Sequence, residues 1–222
     1  MTSLDRKMLR DLWHARGQAI AVALVVACGI ASFTTMRSVY VSLKLSQATY
    51  YEQYRFAHIF ATLKRAPEFL KTRLEALPGV ARVQTRVVVD VTLDVPGLPE
   101  PAIGRLVSLP TQHSPVLNDL ALRQGRYPDP MHRDEVLISE SFATANRLVV
   151  GNTLGAVVNG RWERLRIVGV ALSPEYVYEI RGASEVFPDN KRFGVLWIRR
   201  EVLAAAFDLQ GAFNDVALTL IP

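Results

Sequence analysis

The side chains of this 222-residue chain that could do chemistry are four histidines, one cysteine and scattered carboxylates. His14, His58, His113 and His132 stand alone, with no His-Glu-x-x-His and no Cys/His pairing at metal-ligand spacing, so they read as surface or loop residues. No GxxxxGK[ST] phosphate loop and no GxSxG nucleophile turn occurs. Asp134, Glu135 and Glu140 imitate a carboxylate pair for acid/base work. However, Asp134 and Glu135 precede an expected strand. Glu140 falls in the first turn of an expected helix, where negative charge suits the dipole and Ser139 or Ser141 can cap. We therefore assign no catalytic, cofactor-binding or metal-ligating residue. The stretch SPEYVYEIRG lacks a core period and places Glu175, Tyr176, Tyr178 and Glu179 on what looks like an exposed segment. It reads as a partner-binding loop or, equally, as a strand closing the domain.

The elements that carry these residues are organised around residues 17–36, GQAIAVALVVACGIASFTTM, which contain no charge and lie between Arg16 and Arg37. A bilayer core needs about 20 apolar residues in a helix, because lipid offers no partner to a bare peptide group. The run is long for a signal peptide, although Ala31-Ser32 imitates a cleavage site, and it lacks the polar face of a soluble core helix. It is expected to span a membrane. Ala21, Ala27, Gly29 and Ala31 give it small surfaces for close packing on other membrane helices. Cys28, inside the span, forms no internal disulfide and says nothing about the redox compartment.

Mean hydropathy of +0.14 with 50% hydrophobic residues is too polar for a bundle of membrane helices, so one span and one folded domain fit. The net charge of +5 comes from dispersed Lys and Arg, which disfavours nucleic acid as a partner. Arg6, Lys7, Arg10 and Arg16 form a basic inner collar with Trp13 at the headgroups. The far flank has only Arg37 and Lys44 nearby, so the N-terminus is expected inside and the main domain outside. Leu4, Met8 and Leu12, with Leu9 and Trp13, give residues 1–16 an amphipathic pattern.

Residues 37–56 are expected to continue as a helical stalk, and residues 57–222 as an α+β domain with β-α-β units, in one body or two subdomains. Residues 58–65 read as a strand, and Pro67 should open a helix ending at Pro78-Gly79. Residues 81–95 alternate as one half-buried strand, 102–110 as its return, and 110–134 as loop with a short turn around Leu117 to Leu122. Then come EVLIS as strand, a helix to about Arg147, a strand over 151–158 and an Asn159-Gly160 hairpin into RWERLRIVGVAL. GVLWI as strand, a helix over 200–207 and FNDVALTLI as strand complete the domain.

The order RK-L-RDLW-RGQ, a first span, then GRYP, DEVLIS, a short helix, VGNTL, a hairpin and RIVGVA resembles the permease subunits of MacB/FtsX-like ABC transporters. The closest matches are residues 135–139, 151–154 and 166–170, and the resemblance covers nearly the whole chain. It implies a MacB-like periplasmic core domain on a non-catalytic subunit of a bacterial inner (plasma) membrane. It also implies a cytoplasmic ABC ATPase as partner, further permease helices, a periplasmic protein, lipoprotein or lipid ligand, a dimer in the full assembly, and no cofactor. Permeases of this class have at least three further spans, and no second run after Met36 qualifies. The expectation is therefore a permease component or fragment, with a single-span membrane-anchored periplasmic binding or scaffold protein as the alternative.

Overall fold

The apolar run folds as part of one uninterrupted helix, α1 (Arg16–Gln53). The computed structural model describes residues 7, 10, 13, 16–110, 116–182 and 187–221. Arg6, His14, His113, Pro115, Pro222 and the Leu4, Met8, Leu9 and Leu12 stripe lie outside them. The chain divides into two units, Met1–Tyr50 and Tyr51–Pro222.

In the first unit α1 has no proline and only Gly17 and Gly29 to weaken it. It is long and apolar enough to cross a membrane, and none of its residues is buried by protein, unlike those of a soluble core helix. At about 1.5 Å per residue its 38 residues extend ~57 Å, more than a bilayer core requires. The Thr34 hydroxyl donates to the carbonyls of Ile30 (2.8 Å) and Ala31 (3.0 Å), so this polar group is satisfied within the helix.

The second unit opens on the helix stop. Arg55 takes the left-handed conformation at φ 51°, and the Phe56 N–H bonds back to the Tyr51 carbonyl at 2.8 Å. A three-stranded antiparallel sheet follows, ordered β1 (Ile59–Pro67), β10 (Ala212–Leu220), β2 (Val80–Arg86). Because β1 and β2 both run antiparallel to β10, they are parallel to one another and joined through α2 (Leu70–Glu75). The β-α-β unit thus exists, split by the last strand of the chain. Leu70 and Leu74 of α2 pack on Ala66, Val83, Phe213 and Val216.

The other strands are β3 (Val88–Asp94), β4 (Ala102–Leu109), β5 (Ala121–Gly125), β6 (Glu135–Ser139), β7 (Thr153–Val158), β8 (Arg161–Leu172) and β9 (Phe193–Arg199). They form a mixed sheet in the order β5-β8-β6-β9-β4-β3-β7. The first half of the long strand β8 also pairs with β7, while its second half pairs with β6 and β5, so six of the strands close a ring. Helices α3 (Glu140–Asn146) and α4 (Arg200–Ala206) contribute Phe142, Ala143, Leu203 and Ala204 to the main core. Strand β9 reads as a continuous apolar run because both its faces are covered: Leu196 and Ile198 enter the main core, and Phe193, Val195 and Trp197 a second cluster with Leu137 and Val168.

Three expectations are corrected. Residues 81–95 are not one strand: the chain leaves the small sheet at Arg86 and enters the large one at Val88. The backbone exposed by this crossover is met by remote side chains. Ser108 Oγ accepts from Val87 N–H (2.9 Å), and the Asn214 amide both accepts from Val88 N–H (2.8 Å) and donates to its carbonyl (2.7 Å). Pro67 ends β1, an edge strand where its missing N–H is harmless, rather than opening α2. Within the expected loop 110–134, Ala121–Gly125 forms β5. The Asn159-Gly160 hairpin is as expected, with φ of 46° and 78°.

Gly194 is where the main core is tightest, since a Cβ there would sit 2.3 Å from Cγ of the fully buried Phe142. Gly194→Ala should destabilise the second unit by about 1–3 kcal/mol, read by chemical unfolding of the full chain in detergent. The cost should fall by at least half in a Phe142→Leu background, because the ring is what the new methyl meets.

Candidate functional site

The most charged place in the second unit is buried, where the two sheets meet. Arg86 ends β2 and faces Asp215 across the register of β10. Its Nε and Nη2 donate to Asp215 Oδ1 at 2.8 and 2.6 Å. Its Nη1 and Nη2 donate to the two oxygens of Glu175, the latter at 2.9 Å. Glu175 lies in a 3-10 turn (Pro174–Tyr176) after β8, so one guanidinium ties the small sheet to the end of the large one. Asn118 extends the junction, donating to Glu175 Oε2 (3.1 Å) and accepting from Ala57 N–H (2.9 Å). The Phe60 ring lies 5.8 Å from the guanidinium carbon. Burial alone would strip charge from Arg86, but the Glu175 and Asp215 carboxylates outweigh it and hold the group above the ordinary arginine range.

A second tie runs parallel. Arg200, at the start of α4, bonds the Thr85 carbonyl at 2.8 Å and the Glu68 carboxylate, and the Thr85 hydroxyl donates to Glu68 at 2.5 Å. The left-handed Arg55 is fastened to Asp119 (2.7 Å) and to the Val116 carbonyl (2.9 Å). Between these ties lies a cavity of about 470 Å³. Gln84 and Arg86 form its small-sheet side, and Val107, Leu109, Trp197 and Arg199 its large-sheet side.

The stretch expected to be exposed and partner-binding is largely turned inward. Glu175 is the Arg86 partner. Tyr176 packs edge-on against Trp197 with ring centres 6.3 Å apart, and burial pushes its phenol up. Glu179 is buried. Val177 (62% exposed), Tyr178 (53%), Arg181 and Gly182 face outward. The segment is a 3-10 turn and irregular chain, which overturns the alternative of a closing strand. Ser139 occupies the N-cap position of α3 but makes no capping bond; its hydroxyl donates to Glu179 Oε2 at 2.9 Å instead.

Glu135 is buried and paired twice with Arg126, at 2.7 and 2.5 Å, which together with the Asp129 N–H holds its carboxyl below the usual range against the effect of burial. Glu140 lies in the first turn of α3, 3.7 Å from Arg123. Among the described residues no group of three His, Cys, Asp or Glu is placed to hold a metal. Lys7, Arg10, Trp13 and Arg16 are exposed. Ala21, Ala27, Gly29 and Ala31 are exposed on α1, where a Cβ added at Gly29 meets nothing within 4 Å.

Sequence reasoning missed Arg86, Asp215, Trp197 and Arg199. The available signal was a charge of each sign inside two apolar stretches, Arg86 in TRVVV and Asp215 in NDVAL.

Burial pushes the Glu179 carboxyl up to about 7, against the pull of the Ser139 hydroxyl, and its Oε1 has no partner. Below the ordinary value of 4.5 both folded and unfolded chains carry this proton. Between there and about 7 only the folded chain does, so this group's contribution to stability falls as pH rises across that window. The loss should approach ~3 kcal/mol above the folded value. Glu179→Gln should remove this slope and raise the unfolding midpoint at pH 8 while changing little at pH 4.5, measured by thermal unfolding of the full chain in detergent.

No family model and no curated protein matches the chain. Solved structures similar to it include the following three. The extracellular domain of the noncanonic ABC-type transporter YknZ from Gram-positive bacteria is 14% identical over 73% of this chain and 82% of that one, with a TM-score of 0.47. The periplasmic region of MacB from Actinobacillus actinomycetemcomitans is 14% identical over 73% and 66%, with a TM-score of 0.41. A domain of a putative permease protein from Porphyromonas gingivalis is 16% identical over 72% and 69%, with a TM-score of 0.39.

Proposed function

We propose that this chain is the first membrane span and the extracytoplasmic domain of an ABC-type permease of the MacB/FtsX-like class, working in export or mechanotransmission with a cytoplasmic ATPase. The observation that carries this role is α1: a helix with a charge-free apolar run and no buried residue, continuous from Arg16 to Gln53, followed directly by an α+β domain. Lipid can cover that surface, but a lone helix with no ionisable group in its apolar run conducts nothing, so transport needs other helices packed on it. Ala21, Ala27, Gly29 and Ala31 are the surfaces we assign to that packing. Arg6, Lys7, Arg10 and Arg16, with Trp13, form the inner collar, which puts the N-terminus in the cytoplasm and the second unit outside.

In this role residues 37–56 act as the stalk through which ATP-driven motion reaches the outer domain, which engages lipid, lipoprotein or protein. Val177, Tyr178, Arg181 and Gly182 are the exposed part of its partner-facing stretch. The order of elements supports the assignment: the split β-α-β unit, then β6, α3, β7 and the β7–β8 hairpin, carries the DEVLIS, VGNTL and RIVGVA segments on which the resemblance rests. The test is mild detergent extraction from the native membrane and affinity purification. The chain should bring down an ABC ATPase, and Gly29→Leu should reduce that recovery several-fold without lowering the amount of chain in the membrane. Recovery of a monomer with no ATPase from native membranes would favour an anchored scaffold protein.

A further inference from the structure

The cavity between the sheets holds a charge that the junction leaves unused. Of the arginines lining it, Arg55 is paired with Asp119, and Arg86 with Glu175 and Asp215. Arg199, the last residue of β9, is different: its Nε is buried and has no hydrogen-bond partner, and among the described residues no carboxylate pairs with it. Glu201 also lines the cavity and has an interaction of its own. A buried guanidinium N–H without an acceptor is costly, and a planar carboxylate is the acceptor whose geometry fits a guanidinium best.

Asp119 and Glu175, the partners of Arg55 and Arg86, also line it, with Gln84, Ser108, Asn118 and Ser173 as neutral polar groups, and the larger share of the wall is apolar. Val107 and Leu109 of β4, Trp197 of β9, and Leu117 and Leu120 from the segment before β5 surround the space. At about 470 Å³ it lies within the range of small-molecule sites, roughly 300–1,000 Å³, that are mostly apolar with a few convergent polar groups.

We infer that this cavity binds a single-chain amphiphile with a carboxylate head, the head on Arg199 and the chain against Val107, Leu109, Leu117, Leu120 and Trp197. Such a ligand touches the small sheet through Gln84 and the large one through β4 and β9, so it also bridges the two. The assignment stands on the cavity and does not depend on the transport role.

Trp197 reports on the site directly. The full chain is placed in lipid nanodiscs with Trp13→Phe and Trp162→Phe, which leaves Trp197 as the only tryptophan of the three, and is titrated with decanoate at pH 8. A saturable change in Trp197 emission is expected, with decanol and decyltrimethylammonium binding at least tenfold more weakly. Arg199→Gln should weaken decanoate at least tenfold, and Arg199→Lys should recover part of the loss, each with an unchanged unfolding midpoint. Emission that changes no more than partition into the bilayer accounts for, equal midpoints for decanoate and decanol, or full binding by Arg199→Gln would each overturn the assignment. Should Arg199→Gln fail to fold, the three-ligand comparison on the chain with Arg199 intact decides it alone.

Discussion

The second unit depends on keeping Arg86 charged where it is almost wholly buried. Two carboxylates from different elements, Asp215 in β10 and Glu175 in the turn after β8, meet one guanidinium, and together they join the small sheet to the ring of strands. Burying such charges costs several kcal/mol per ion, so the arrangement is not a large source of net stability. What it adds is intolerance of misassembly. Removing one partner strands the other charges, typically at a cost of about 3–5 kcal/mol, so the two sheets dock in one way. The Glu68–Thr85–Arg200 tie and the Asn214 and Ser108 bonds to Val87 and Val88 act on the same joint. The chain can therefore cross from one sheet to the other within a single residue.

The first unit obeys the opposite solvent rule. Over residues 17–36 of α1 the exposed surface is almost entirely apolar, the backbone is satisfied within the helix, and Thr34 turns its hydroxyl back onto the Ile30 carbonyl. Lipid suits such a surface, and so do neighbouring helices where small residues let backbones approach. The same chain thus buries its charges in one unit and exposes its hydrophobic side chains in the other. Each choice is favourable only in its own solvent, an apolar one for the 17–36 run and water for the surface of the second unit.

Local order was legible in the sequence, and long-range pairing was not. The helix over 16–53, the strands at EVLIS and GVLWI and the Asn159-Gly160 hairpin follow from composition, period and turn chemistry. These are properties of adjacent residues. The break at Val87 was hidden because Arg86 interrupts a valine-rich stretch without glycine or proline, and the side chains that seal it come from positions 108 and 214. Pro67 reads as a helix start by local statistics, but pairing with β10 keeps it in a strand. Glu175 and Glu179 read as exposed because acidic residues usually are. Their burial depends on Arg86 and Ser139, each at least 40 residues away in sequence. The cavity was unreadable for the same reason, since its walls come from seven separate segments.

The central claim is that α1 works packed against other permease helices rather than alone in lipid. A photo-cross-linking amino acid in place of Ala27, on the small-residue surface of α1, tests it in the native membrane. The account predicts a cross-linked product that contains another membrane-spanning segment, from this chain's partners or a second copy, and that is lost when Gly29→Leu is added. Cross-links to lipid alone, unchanged by Gly29→Leu, would contradict it.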